Sequence, residues 1–178
     1  SSSPNISNVI ISGNSAGPQG SGGVGGMYLA YSGGVTLTNV TVTENDGLGI
    51  YIIEEAPTIL NSIIYNNSQE SIFTTGILPV ISYSDIDGGW EGEGNIDSDP
   101  QFNEDFTLQS NSPCIDTGDP DLDGDGDNYL IDSDDQDPDG TRMDIGALYY
   151  DQIANPIIRG CMDPGASNYN SEAIAEDG

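Results

Sequence analysis

The chain has 178 residues, of which 30 are acidic and only two basic (Arg142 and Arg159), with no histidine and a formal net charge of −28. That charge repels phosphate backbones and anionic headgroups, and no apolar run approaches the ~20 residues of a spanning helix, so nucleic-acid binding and direct membrane insertion are excluded as expectations. With 35% hydrophobic residues and 24 glycines, the composition suits short strands between tight turns rather than long helices, and the acidity suits divalent cations, saline surroundings or simple solubility.

The chain opens on Ser1-Ser2-Ser3-Pro4-Asn5-Ile6, already inside a repeat and without the charged and apolar regions of a signal peptide. The expectation is a mature or excised segment, with Ser1 not the natural start and Gly178 not the natural end. Val35-Thr36-Leu37-Thr38-Asn39-Val40-Thr41-Val42 aligns with the stretches starting at Pro57 and at Pro79, both steps being 22 residues (57 − 35 and 79 − 57). Pro4 through Ile11 is a further copy at an offset of 31 (35 − 4), lengthened by the Gly-rich insertion between Gly17 and Gly26. Fixed periods of this length are the mark of a solenoid.

The aligned columns predict which side chains point inward. Ile6, Leu37, Ile59 and Ile81 form one column, and Ile11, Val42, Ile64 and Ile86 another; their β-branched majority favours strand. Asn8, Asn39 and Asn61, closed by Tyr83, form a third, and Asn14, Asn45 and Asn67 a fourth. Stacked amides at one turn can hydrogen-bond from coil to coil. Each coil has a second strand around Tyr28, Tyr51 and Phe73, whose aromatic residues read either as packing or as a row for stacking sugars. Trp90 reads as a lid on the open end of the core or as a sugar platform. The spacing Ile6, Val9, Ile11, Asn14 also fits the leucine-rich-repeat template. The segment 46–52 reads as turn and strand, however, where that fold needs a Leu-rich convex side.

The stretch 34–52 (GVTLTNVTVTENDGLGIYI) resembles the right-handed parallel β-helix repeat of pectate-lyase-like and bacterial surface proteins. Gly94 to Phe102, Phe106-Thr107-Leu108, Ser112 to Gly118 and Asp139 to Ala147 are similar to the terminal segments of such proteins. The resemblance implies that these stretches close the last coil. The tail, Gly160-Cys161-Met162-Asp163-Pro164-Gly165-Ala166-Ser167-Asn168-Tyr169-Asn170 through Asp177-Gly178, is similar to a short repeat of secreted Bacteroidetes proteins, which implies an extracellular, multi-repeat parent.

Acidic residues crowd positions 119–144. Counting Asp121 as one, Asp121, Asp123, Asp125, Asp127 and Asp132 fall at positions 1, 3, 5, 7 and 12, with Gly126 at 6. That is the spacing of an EF-hand-type calcium loop, although position 7 normally offers a carbonyl and position 12 a Glu. A second half-motif follows at Asp135, Asp137 and Asp139 with Asp144 beyond. Pro120 and Pro138 argue against flanking helices. All nine carboxylates are expected metal ligands for Ca2+; the competing reading is a solvated acidic loop that binds nothing. Arg142 lies among them as an internal ion-pair partner or as a contact for a carboxylated sugar.

Catalytic chemistry is poorly provided for. Without histidine, Ser–His and Cys–His nucleophile systems are impossible within this chain. Two carboxylates would serve a glycoside hydrolase; Asp85 with Asp87, or Glu54 with Glu55, are the candidates on the coils, the latter pair facing opposite sides of a strand. Two cysteines make no disulfide framework: Cys114 and Cys161 pair with each other, or Cys114 packs as a small apolar residue and Cys161 has its partner beyond Gly178.

The expected protein is therefore all-β, a right-handed parallel β-helix solenoid with an irregular, calcium-rich C-terminal cap. Its coils occupy 1–90, a terminal coil and acidic cap 91–150, and a linker with the start of a small Cys-containing repeat 151–178. The expected role is an extracellular structural or adhesive segment of a larger secreted surface protein. It is not an enzyme in this reading, and its partners are other repeats or subunits of that protein, glycans or cell surfaces. The alternative is a domain of a polysaccharide lyase or glycoside hydrolase.

Overall fold

The computed structural model describes residues 4–17, 23–30, 34–54 and 56–174. Ser1 to Ser3, residues 18–22 of the Gly-rich insertion, residues 31–33, Glu55 and the end of the tail at 175–178 lie outside the described residues. No helix forms among the described residues. Nine strands do: β1 (Asn5–Ser12), β2 (Val24–Ala30), β3 (Thr36–Thr43), β4 (Leu48–Ile53), β5 (Thr58–Leu60), β6 (Ile63–Tyr65), β7 (Ile72–Thr75), β8 (Val80–Ser82) and β9 (Asp85–Ile86).

Every strand pair is parallel, and the register is the one the columns imply. Ile6 lies beside Leu37, Leu37 beside Ile59 and Ile59 beside Ile81, while Ile11, Val42, Ile64 and Ile86 continue one another in the same way. These strands make one curled sheet, with β8, β5, β3, β6 and β9 along its path and β1 paired to β3. The second sheet stacks β2, β4 and β7, with Tyr28 beside Tyr51 and Tyr51 beside Phe73. Between the sheets lies a core of Leu37, Val42, Ile50, Ile52, Ile59 and Ile64, all fully buried, with Ile6, Ile11 and Met27 half-buried at the first coil. Each coil winds once through both sheets, which makes the solenoid.

The column Asn8, Asn39, Asn61 and Tyr83 is a bend. All four have left-handed backbones, with φ of 56°, 54°, 48° and 47°. Asn enters this region more readily than most L residues. Because the bend residue drops out of the pleat, inward positions run Leu37, Val40, Val42 with two residues in the first gap and one in the second. That is why a leucine-rich-repeat spacing can be read from a β-helix. In the third coil the bend interrupts the strand outright and separates β5 from β6.

Close approach between coils explains the small residues that open the second strand. A Cβ on Gly26 would lie 2.1 Å from the Gly49 carbonyl oxygen, and one on Gly49 would lie 2.5 Å from that of Ser71.

The last coil closes on Trp90, which packs against the inner core. A final short rung follows: Tyr83 N–H donates to Glu93 O (2.7 Å), Ile96 N–H to Ser84 O (2.9 Å) and Ile86 N–H to Ile96 O (3.0 Å). From residue 98 the chain leaves the stack. Of the terminal stretches that the resemblance placed on the last coil, the start of Gly94 to Phe102 does make this rung, while those from residue 98 onward run back along the outer face of the first sheet. Ile63, which points outward from β6, is fully buried there by Leu108, Cys114, Ile115 and Ile145, a second core. Gly146 N–H donates to Asn61 O (2.8 Å), Ala147 N–H to Thr41 Oγ1 (3.0 Å) and Asp119 N–H to Asn61 Oδ1 (2.7 Å). The segment 98–150 is thus a flank fastened across several coils.

In the tail, Asn170 N–H donates to Cys161 O (2.9 Å) and Ile174 N–H to Ile158 O (2.8 Å), closing a small loop. Cys114 and Cys161 are both free, which removes the alternative in which they pair with each other. Cys114 is buried in the second core, with its Sγ 3.4 Å from Asp85 Oδ2.

Candidate metal centre

The acidic segment is shaped first by its own side chains. Asp119, Asp123, Asp125 and Asp132 each accept the N–H two residues ahead, at 3.1, 3.0, 2.8 and 3.2 Å. This is the local turn that alternating Asp residues favour. Gly124 and Gly126 take φ of 77° and 96°, and Gly126 N–H reaches back to Asp121 Oδ2 (3.2 Å). Tyr129 N–H donates to Pro120 O (2.9 Å) and Asp132 N–H to Asn128 O (3.0 Å). These bonds fold 128–135 back over 120–123, where Leu122 N–H donates to Asp135 Oδ1 at 2.5 Å.

Two groups of carboxylates result. Asp121, Asp123 and Asp135 each bring an oxygen within 4.8 Å of the others, and so do Asp123, Asp125 and Asp132. Asp123 and Asp125 are exposed, whereas Asp135 is fully buried. Its Oδ2 is one of three buried side-chain polar atoms without a hydrogen-bond partner among the described residues. Burial raises the Asp135 carboxyl above its usual range, the Leu122 N–H opposes this, and the charges of Asp132, Asp121 and Asp123 push further upward. A buried carboxylate oxygen without a compensating partner is destabilising. A cation among these oxygens would remove that cost.

The remaining expected ligands lie elsewhere. Asp127 belongs to neither group. The second half-motif divides: Asp135 turns toward the first loop, while Asp137, Asp139 and Asp144 brace backbone. Asp137 Oδ2 accepts Asp144 N–H (2.7 Å). Asp144 accepts Asp116 N–H on Oδ1 (2.7 Å) and Tyr150 N–H on Oδ2 (2.6 Å). Asp139 accepts Thr141 and Gln152 N–H at 3.0 and 2.8 Å. Burial pushes Asp137 up to about 7 and Asp144 up to about 8, against the N–H donors that favour charge. For Asp139, burial also pulls upward, but its bonds from Gln152 and Thr141 win and hold it below the usual range.

Asp85 and Asp87, one pair of hydrolase candidates, differ in their surroundings. Asp85 is fully buried beneath the flank, accepting Ser98 N–H (3.1 Å) as well as contacting Cys114; burial lifts it to about 6. Asp87 is exposed and accepts Asn66 N–H (3.3 Å). Glu54 is exposed with φ of 49°, and its neighbour Glu55 lies outside the described residues. Arg142 donates from Nε to Gly118 O (2.7 Å) and lies 5.9 Å over the Tyr83 ring, so it ties the flank to the solenoid. The aromatic row Tyr28, Tyr51 and Phe73 packs edge to face, with ring planes at 82° and 66°. Each ring sets its edge against the next, so the row braces neighbouring coils.

A cleft of about 470 Å³ lies between the flank and the outer sheet face, lined by Ser7, Asn8, Thr38 and Asn39 on one wall and Asp137, Met143 and Asp144 on the other. Sequence reasoning missed it, because nothing in the repeat indicates that 98–150 returns over β1 and β3.

A family profile described as a right-handed β-helix region matches residues 1–111. A search of curated proteins and a search of solved structures each found no match.

Proposed function

Because this chain belongs to the right-handed β-helix family, we propose that it is a rigid extracellular spacer or adhesive module of a larger secreted surface protein. In this reading it is stabilised by calcium and binds glycans or a partner surface without turning them over. The tail, similar to a Bacteroidetes repeat, would continue the same multi-repeat parent. The observation that carries the reading is how the buried acids are used. Asp85, Asp137 and Asp144 accept backbone N–H groups of the flank, so their oxygens hold architecture where a catalyst needs them facing substrate.

The test is incubation of the full chain with pectin, alginate and neutral glucans, following both retention on the polymer and release of unsaturated or reducing ends. Retention without release is the expected outcome. Release that disappears on Asp87→Asn or Asp137→Asn would overturn the reading.

One observation favours the alternative of a lyase or hydrolase domain. The cleft between flank and sheet holds Asp137 and Asp144, two carboxyls raised to about 7 and about 8, and raised acids in a cleft are what general acid catalysis requires. The same incubation decides between the two readings.

A further inference from the structure

We propose that one hard divalent cation, calcium at extracellular concentrations, is bound by Asp121, Asp123 and Asp135, and that it clips the two halves of the acidic segment together. This refines the calcium part of the reading above: it exchanges a continuous loop, with ligands running from Asp121 to Asp132, for a discontinuous site completed by a residue of the next half-motif.

Two independent observations support it. The first is spacing. Calcium binds oxygen at 2.3–2.6 Å, so two ligands on opposite sides of one ion stand about 4.8 Å apart and all others closer. Oxygens of Asp121, Asp123 and Asp135 all fall within 4.8 Å of one another. The second is the state of Asp135. Its side chain is fully buried, Leu122 N–H occupies Oδ1, and Oδ2 has no hydrogen-bond partner. A buried carboxylate oxygen left open beside two other carboxylates is a ligand atom in place, because Leu122 N–H compensates only Oδ1 and leaves Oδ2 unpaired.

The rival group, Asp123, Asp125 and Asp132, meets the spacing but not the second condition. Asp123 and Asp125 are exposed and Asp132 is half-buried, so solvent and dissolved ions can screen them. It shares Asp123 with the first group, so the ion is assigned to the group with the buried ligand. Three carboxylates fill only part of a calcium shell, leaving positions for carbonyls and water. Tyr129, whose carbonyl accepts the Gln136 side-chain amide, lies in the connection that the clip would hold closed.

The experiment is calorimetric titration of calcium into the full chain after chelator treatment, repeated on Asp135→Asn, Asp125→Asn and Asp127→Asn. Asparagine keeps the Oδ1 acceptor for Leu122 N–H and removes the charge. The wild type should bind one tight ion; Asp135→Asn should lose about tenfold or more in affinity, while Asp125→Asn and Asp127→Asn change it little. Melting in chelator guards against simple misfolding: Asp135→Asn should melt at or above the wild type there, since it deletes an uncompensated buried charge, and should gain nothing from calcium. Absence of tight binding by the wild type would overturn both the clip and the calcium part of the wider reading. Tight binding that survives Asp135→Asn, or is lost in Asp125→Asn alone, would overturn the clip and leave calcium stabilisation standing.

Discussion

Asn45 is held inside the solenoid by four partners. Its Nδ2 donates to Asn67 Oδ1 (2.9 Å), Ile11 O (2.9 Å) and Thr43 O (3.0 Å), while its Oδ1 accepts the Asn14 side-chain amide (3.0 Å). Asn45→Leu would leave buried carbonyls unpaired, each costing about 1–3 kcal/mol. The expected loss is roughly 2–4 kcal/mol in urea unfolding. Asn39, in the other asparagine column, serves the backbone: Asn39→Gly should be nearly neutral, whereas Asn39→Ala should cost about 1 kcal/mol for its left-handed φ. In the sequence the two columns look alike, because Asn is chosen both for amide ladders and for left-handed bends, and a one-letter pattern does not separate the reasons. A further column, of serine hydroxyls, was not read at all. Val40 N–H donates to Ser62 Oγ and Ser62 N–H to Ser84 Oγ, both at 3.1 Å, but serine is too common in turns to mark a ladder. At the same scale, burial raises Asp85 to about 6 and Asp144 to about 8. Acids whose folded values lie above their unfolded ones contribute stability below pH ~4 that is lost as pH rises through the folded values. Urea stability in chelator should therefore fall between pH 5 and pH 8.5, and Asp144→Asn should flatten the upper part of that slope; a rise across the interval would contradict the burial argument.

The strands and their register were legible because one 22-residue spacing fixes every pairing at once, and the pairs Leu37–Ile59 and Ile59–Ile81 follow from it directly. The flank was not. Alternation accounts for Ile64 facing the inner core, but its neighbour Ile63 faces outward, between the polar Thr41 and Asp85 of the adjacent coils. That unexplained apolar residue is the one trace of the second core in the sequence. Leu108, Cys114 and Ile145 cover it from a segment with no period to align. The flank depends on this contact: Ile63→Ala should cost about 2–5 kcal/mol. Limited proteolysis should then cut first within 98–150, with the coils surviving as the larger fragment. Gly146 makes the complementary test. A Cβ there would lie 2.7 Å from Ile63 Cδ1 at a φ of 115°, so Gly146→Val should detach the flank through the same face. Cleavage within the coils before the flank would contradict this order of stability. The grouping of the carboxylates was half legible for a similar reason. The alternating Asp run predicts its own turns, and the structure has them, but the return of Asp135 to Asp121 and Asp123 depends on the 128–135 fold-back.

As a whole, the molecule combines a tightly bonded stack with an unusual excess of one charge. Two arginines face 30 carboxylates, and Arg142 is committed to the carbonyl of Gly118 and the ring of Tyr83. Repulsion among like charges opposes the compact state and is relieved by screening. Two different cation effects should therefore be separable. Sodium chloride raised from about 0.01 to 0.3 M shrinks the Debye length from roughly 30 Å to under 10 Å, and the melting temperature should climb gradually with it for every carboxylate alike. Calcium should act on top of that at constant ionic strength, in the millimolar range or below, because an ion that binds only the folded state stabilises it according to its occupancy. The increment should be retained in Asp139→Asn, whose carboxylate braces Thr141 and Gln152, and lost in Asp123→Asn, the residue common to both carboxylate groups. Melting curves at fixed ionic strength make the decision. A calcium increment no larger than that of an equal ionic strength of sodium chloride would mean that the acidic segment is only screened, and that its alternating Asp residues serve turns and solubility alone.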